Sequence, residues 1–359
     1  MPGLFDILKA RIAESGPITV AAYVEAALTD ARHGYYMGRD PFGRSGDFIT
    51  APEVSQMFGE LIGVWCVSGW QSVGRPKVLN LIELGPGRGT MMLDALRAAR
   101  VDPAFAAAVR PALVEVSPAL RARQKMTLGD VEPEPAWFVD FSETPAGPSI
   151  VLANEYFDAL PARQFQMTAQ GWRERLVGIG PDGGLAFTTA KQPPVGREAP
   201  RVPMKAEVGA VFETRPAADR VVRDIAGRLV AHSGLALIVD YGHAATALGD
   251  TLQAVKGHQR ADPLAAPGEA DLTLHVDFAA LRRAAGAAGL QVFGPVDQGQ
   301  WLDTLGIRLR ADSLKKSAPD RAAEIDAALH RLTAADAMGR LFKALALASV
   351  GVRAPVGFH

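Results

Sequence analysis

VLNLIELGPGRGT, residues 78–90, decides the fold: a short run dominated by apolar side chains leads straight into alternating glycines, and a helical stretch follows over 88–100. This is the strand–turn–helix unit of an α/β sheet. Glycines at such a turn let the backbone approach a ligand where a Cβ would collide, and the helix start offers free N–H groups to polar ligand atoms. The dinucleotide fingerprint is G-x-G-x-x-G, whereas this turn reads G-x-G-x-G with Thr90 where the later glycine would fall. That difference favours an adenosylmethionine site over NAD.

Outward from this turn, short apolar runs alternate with amphipathic stretches, as in parallel strands joined by crossover helices. The strand candidates are 78–84, 112–117, 136–141, 149–156 and 235–242, with helices at 88–100, 118–128 and 208–232. Glu115 closes the second strand, where a carboxylate accepts hydrogen bonds from both ribose hydroxyls of an adenosyl group. Glu83 is placed to meet the ligand's amino group or, equally, to cap a neighbouring loop. Asp140 belongs at the adenine edge or serves as the N-cap of the Ser142-Glu143 turn.

The expected architecture is therefore α/β: a Rossmann-like doubly wound sheet with a helical N-terminal cap, an inserted β-meander and a helical C-terminal tail. Residues 1–75 form the cap, interrupted by a glycine-rich loop at 33–48, and the first part of the core runs over 76–162. The meander and a proline-rich surface loop occupy 163–203, on the turn signals Gln170-Gly171 and Pro181-Asp182-Gly183-Gly184. Core residues resume over 204–302, with LTLHVDF (272–278) and 290–302 completing the sheet. The tail, 303–359, is read as helical to its last apolar segment, MGRLFKALALAS (338–349).

Composition sets the outer limits. Over 359 residues, 48% are hydrophobic and 21% charged, a globular balance, and the formal net charge of −1 without basic clusters gives no footprint for nucleic acid. The single cysteine, Cys66, sits in an apolar run and reads as a buried, inert thiol of a reducing compartment. No apolar run approaches the roughly 20 residues of a membrane span. The N-terminal residues resemble neither a secretory signal nor an organelle presequence, so a cytoplasmic location is expected. His243, His258 and His275 lack metal-ligand spacing, and no metal is expected.

A second polar constellation, Asn154-Glu155-Tyr156-Phe157-Asp158, follows the fourth strand. On a helical turn, Glu155 and Asp158 face one side, and Asn154 adds a neutral donor and acceptor. Two carboxylates near one point suit a cation, above all the planar guanidinium of arginine. Capping of a following helix by Asn154 or Asp158 explains the same residues. Asp240 and Tyr241 end the fifth strand, and either line an acceptor channel or make a strand-end turn.

At this point the chain resembles the MidA-like methyltransferases, a family that includes a mitochondrial complex I assembly factor methylating protein arginine. The resemblance is carried by GYY (34–36), GDFITAPEVSQMFGE (46–60), ELGPGRGT (83–90), LVEVSP (113–118), NEYFDALPARQF (154–165), IVDYGH (238–243), DLTLHVDF (271–278) and MGRLFKAL (338–345). It implies S-adenosyl-L-methionine as cofactor and an arginine acceptor in a respiratory complex I core subunit, and it allows a homodimer. It places cofactor contacts at Gly85, Gly87 and Glu115, with Asp47 and Thr50 helping to close the pocket. A small-molecule methyltransferase with the meander as lid, and a noncatalytic assembly chaperone, are the competing readings.

Overall fold

A computed structural model describes residues 2–38, 43, 46–47, 49–195, 200, 202 and 205–358. The expected loops at 33–48 and 192–203 fall partly outside the described residues. The N-terminal cap comprises α1 (Leu4–Ser15), β1 (Ile18–Thr19), α2 (Val20–Thr29), α3 (Ala51–Val54) and α4 (Gln56–Ser72). Thr19 starts α2 by accepting the Ala22 N–H, and Ser55 starts α4 by accepting that of Met57. The first half of the core follows as β2 (Leu79–Leu84), α5 (Thr90–Ala99), α6 (Pro103–Ala108), β3 (Val109–Val114), α7 (Pro118–Leu128), β4 (Ala136–Phe138) and β5 (Ser149–Asn154). All six residues of β2 are buried, as a central parallel strand covered on both faces requires.

The meander is β6 (Arg163–Thr168), β7 (Gly171–Ile179), β8 (Leu185–Thr189) and β9 (Val211–Thr214), and β1 of the cap pairs with β7. The second half of the core begins with α8 (Pro216–His232) and β10 (Gly234–His243). A three-stranded sheet of β11 (Gln253–Lys256), β12 (Gln259–Ala261) and β13 (Asp271–Thr273) comes next. Then come β14 (Val276–Asp277), α9 (Phe278–Ala287), β15 (Gln291–Asp297), α10 (Gln298–Thr304), α11 (Ile307–Ser317), α12 (Ala322–Thr333), α13 (Met338–Leu341) and β16 (Phe342–Ala348).

The main sheet has the order β15-β16-β10-β5-β2-β3-β4. Strands β4, β3, β2, β5 and β10 run parallel, and β16 is antiparallel to both β10 and β15. The doubly wound α/β class is confirmed. One face packs on α4, α5 and the C-terminal helices through Phe58, Trp65 and Trp301; the other packs on α8 and α9 through Val222, Ile225 and Leu281. A third cluster, with Leu8, Tyr23, Val177 and Leu272, holds the cap against the meander and the three-stranded sheet.

Three expectations need correction. Residues 342–348, read as the end of a helical tail, are a strand inside the sheet, because a buried apolar run of this length suits a strand as well as a helix. Residues 211–214, read as helix, pair with β6, and Pro216 then opens α8. LTLHVDF does not add a long strand to the main sheet: β13 pairs with β11, and β14 makes only a two-residue parallel pairing with β10. Among the described residues no helix is long and apolar enough to cross a membrane. Cys66 is fully buried in α4.

Candidate active site

A cavity of about 750 Å³ opens at the carboxyl ends of the parallel strands. That is where open α/β sheets hold ligands. Its lining includes Thr50, Glu83, Gly85, Gly87, Glu115, Asp140, Asn154, Glu155 and Asp158. The glycine turn follows β2 directly, and Gly85, Gly87 and Gly89 have φ of +60°, +53° and +81°. A Cβ on Gly85 would lie 2.8 Å from Cδ2 of Tyr156. Two features of the cap lock onto this turn: Glu53 of α3 accepts the Thr90 hydroxyl at 2.5 Å and pairs with Arg88 at 3.5 Å.

Glu115 lies one residue past β3, and its N–H donates to the Phe138 carbonyl. Its carboxylate is buried and accepts the Ser117 N–H at 2.8 Å and the Gln124 side-chain amide at 3.1 Å. Burial raises its pKa, and these two donors counter the shift. Glu83 is buried in β2, and its Oε2 has no hydrogen-bond partner. Desolvation pushes the carboxyl up to about 8. Asp140 is an exposed N-cap at the cavity rim, its Oδ1 accepting both the N–H and the hydroxyl of Ser142, which lower its pKa.

At the other end, the chain leaves β5 with Glu155 at φ +48°, and residues 155–160 form a turn rather than the helix on which the two acids were expected to align. The reason is a buried clasp. Asp240 accepts the N–H groups of Phe157 and Asp158 at 2.9 and 3.2 Å, while Arg215 donates to the carbonyls of Phe157 and His275. Both acids nonetheless line the cavity. Glu155 Oε1 accepts the Ala51 N–H at 2.8 Å and the Asn154 amide at 3.2 Å, and burial pushes this carboxyl up to about 8. Asp158 accepts the Tyr241 hydroxyl at 2.7 Å and the Ala159 N–H at 2.9 Å; burial raises its pKa. Asn154 Oδ1 is buried without a partner.

Asp47, expected to help close the pocket, and Asp240, read as lining a channel or making a strand-end turn, are not among the cavity's lining residues. Asp47 accepts the Tyr35 hydroxyl at 2.6 Å and the Gly257 N–H at 2.7 Å, so it ties the cap to the β11–β12 turn and does not line the cavity. Asp240 is fully buried behind the turn that it clasps. Thr50 and Tyr241 do line the cavity. The residue reading had not singled out Tyr36, Tyr156 or Gln124. Tyr36 donates its hydroxyl to Asp271 and accepts the Ser117 hydroxyl at its carbonyl. Tyr36 and Tyr156 fall inside the quoted GYY and NEYFDALPARQF stretches, whereas Gln124 sits in an ordinary amphipathic helix with no signal of its own. Among the described residues no cluster of three His, Cys, Asp or Glu is arranged to hold a metal ion.

The sequence matches the family of S-adenosyl-L-methionine-dependent methyltransferases over residues 61–296. It is 40% identical over 333 residues to the mitochondrial protein arginine methyltransferase NDUFAF7 of Danio rerio, spanning 86% of this chain and 78% of that one. Its Drosophila melanogaster homolog is 37% identical over 369 residues, spanning 95% and 83%. A Burkholderia thailandensis protein solved bound to S-adenosyl-homocysteine superimposes with a TM-score of 0.89 at 30% identity, covering 99% of this chain and 93% of that one. These relatives overturn the cytoplasmic expectation, since both NDUFAF7 proteins are named as mitochondrial. That expectation rested on the composition of the first residues, which carries no information about a relative's compartment. The glycine turn, the strand-end carboxylates and the matched span agree: this chain belongs to the MidA-like family of S-adenosyl-L-methionine-dependent methyltransferases.

Proposed function

We propose that this chain methylates an arginine side chain of a protein acceptor, a core subunit of respiratory complex I. One observation carries the reading. The far end of the cavity brings together the Glu155 and Asp158 carboxyl groups and the unpartnered Asn154 Oδ1. A guanidinium is a planar set of donors and no acceptor, so it complements such a wall. The names of the curated relatives support the same chemistry, and the resemblance to the complex I assembly factor supports the choice of acceptor.

The residues present fit the cofactor. Glu83 Oε2, buried and lacking a partner, suits the ammonium of its amino-acid part; Glu115 suits the ribose hydroxyls; Gly85 and Gly87, at φ +60° and +53°, bring bare backbone to the cavity wall. Asp140 stands at the rim toward the adenine, and Thr50 contributes to the wall. S-adenosyl-L-methionine supplies a methyl group already made electrophilic by its sulfonium. The protein's task is alignment and exclusion of water. Glu155 and Asp158 hold positive charge on the nitrogens they face, which leaves lone-pair density on the reacting nitrogen. The reacting nitrogen sheds one proton to solvent once it carries the methyl group, which restores a singly charged guanidinium.

Intact-mass analysis of recombinant complex I core subunits, incubated with this protein and labelled S-adenosyl-L-methionine, tests the reading. A gain of methyl label mapped to arginine supports it. Cofactor turnover with small molecules alone would replace it with a small-molecule methyltransferase. Binding of a subunit without any turnover would replace it with the assembly chaperone.

A further inference from the structure

Gln124 is not among the residues lining the strand-end cavity, yet three hydrogen bonds converge on its amide. It is fully buried on α7. Its Nε2 donates to the Gly87 carbonyl at 2.9 Å and to Glu115 Oε2 at 3.1 Å, and its Oε1 accepts the Trp137 indole N–H at 3.0 Å. An indole can only donate, and a carbonyl and a carboxylate can only accept, so one orientation of the amide satisfies all three. The flipped amide would set its oxygen against two acceptors and its NH₂ against an indole N–H. Neither such arrangement is tolerable in a site without water.

We infer that Gln124 is a positioning residue for the cofactor site: its amide, oriented by Trp137, couples the glycine turn to Glu115 and keeps that carboxylate presented as an acceptor. Gly87 and Glu115 come from different βα units; the Gly85 N–H donates to the Val114 carbonyl, one residue before the acid, and the tie from Gly87 to Glu115 itself runs through a side chain. The amide supplies that tie. It also donates to the ionised form of a carboxylate that burial would otherwise drive toward the neutral acid, and a protonated Glu115 would offer one acceptor fewer to the ligand. The inference rests on the cofactor class of the family and is independent of which acceptor is methylated.

Gln124→Met keeps the volume and removes all three bonds; Trp137→Phe removes the N–H that orients the amide and keeps an aromatic ring in its place. Both full-length variants are measured against S-adenosyl-homocysteine by calorimetry at pH 6, 7.5 and 9, with a melting curve for each. Gln124→Met should bind about 10-fold more weakly at pH 7.5, as loss of a hydrogen bond to a charged group implies, with the deficit growing at pH 6 and shrinking at pH 9. Trp137→Phe should weaken binding about 3-fold although the indole lies outside the cavity, since it leaves the amide free to turn. A deficit equal at all three pH values would make Gln124 a mere packing residue and overturn the inference. So would unchanged affinity in Trp137→Phe, which decides the matter alone if Gln124→Met does not fold.

Discussion

Glu155 Oε1 accepts the backbone N–H of Ala51 at 2.8 Å, joining the end of a core strand to the start of a cap helix 104 residues earlier. The cap therefore closes on the cavity through the residue proposed to orient the acceptor. Glu155→Gln keeps an oxygen for Ala51 and removes the charge. Cofactor affinity should stay close to the parent's and the melting temperature should not fall, while single-turnover methyl transfer to the protein acceptor falls at least ~100-fold, as loss of a charge aligned with the transition state implies. Near-normal transfer by the folded variant would shift the role to Asp158.

Glu115→Ala should weaken S-adenosyl-homocysteine binding by about 1.5–3 kcal/mol, the range for hydrogen bonds to a charged group. The fold should survive, because the Ser117 N–H and the Gln124 amide that the carboxylate accepts can be met by water entering the vacated space. Calorimetry with an unchanged dissociation constant would remove Glu115 from the ligand's contacts.

Gly87→Val puts a branched side chain at φ +53°, a region that β-branched residues avoid, on a turn that faces the cavity. Binding of the cofactor should be lost in the calorimeter, and the melting temperature should drop as well. A variant that binds normally would contradict the geometry of the turn.

Glu83 and Glu155 each have a carboxyl pushed from an ordinary 4.5 up to about 8. In the free protein the folded chain therefore keeps protons that the unfolded chain has lost, so stability falls as pH rises from about 4.5 to about 8. Glu83→Gln should flatten that fall, seen as a smaller drop in melting temperature between pH 5 and pH 8.5. An ammonium placed beside Glu83 would ionise it, so cofactor binding near pH 7 should release protons, read from calorimetry in buffers of different ionisation enthalpy. A melting slope identical to the parent's would show that Glu83 is already charged in the fold.

Asp240→Asn should behave as a structural lesion. The fully buried carboxylate accepts three backbone N–H groups, from Phe157, Asp158 and Tyr241, and an amide nitrogen turned toward any of them opposes donor to donor. A cost of about 1–3 kcal/mol in denaturant unfolding is expected. Transfer should fall through disorder of the 155–158 turn, while binding of S-adenosyl-homocysteine holds. Unchanged stability would mean that Arg215 alone clasps the turn.

Local pattern made the cofactor half of this protein legible. A strand buried on both faces reads as an unbroken apolar run, the turn after β2 needs left-handed backbone at three positions, and only glycine supplies it cheaply, so residues 78–90 and the acid at 115 announce themselves. The acceptor half was legible as residue types but not as geometry. Nothing local to 154–160 says that a buried carboxylate 83 residues after Phe157 will hold it as a turn, or that Asp47 will face Tyr35 rather than the cavity. The same holds for β16, whose seven residues fit helix or strand until β10 and β15 flank them, and for Gln124, whose amide acquires a task only where three separate segments meet. Sequence by itself determined what backbone conformation and side-chain chemistry were on hand at each strand end. Tertiary structure alone decided which of those groups face the cavity and which are spent holding it, because that depends on hydrogen bonds between residues far apart in the chain, formed where water is excluded.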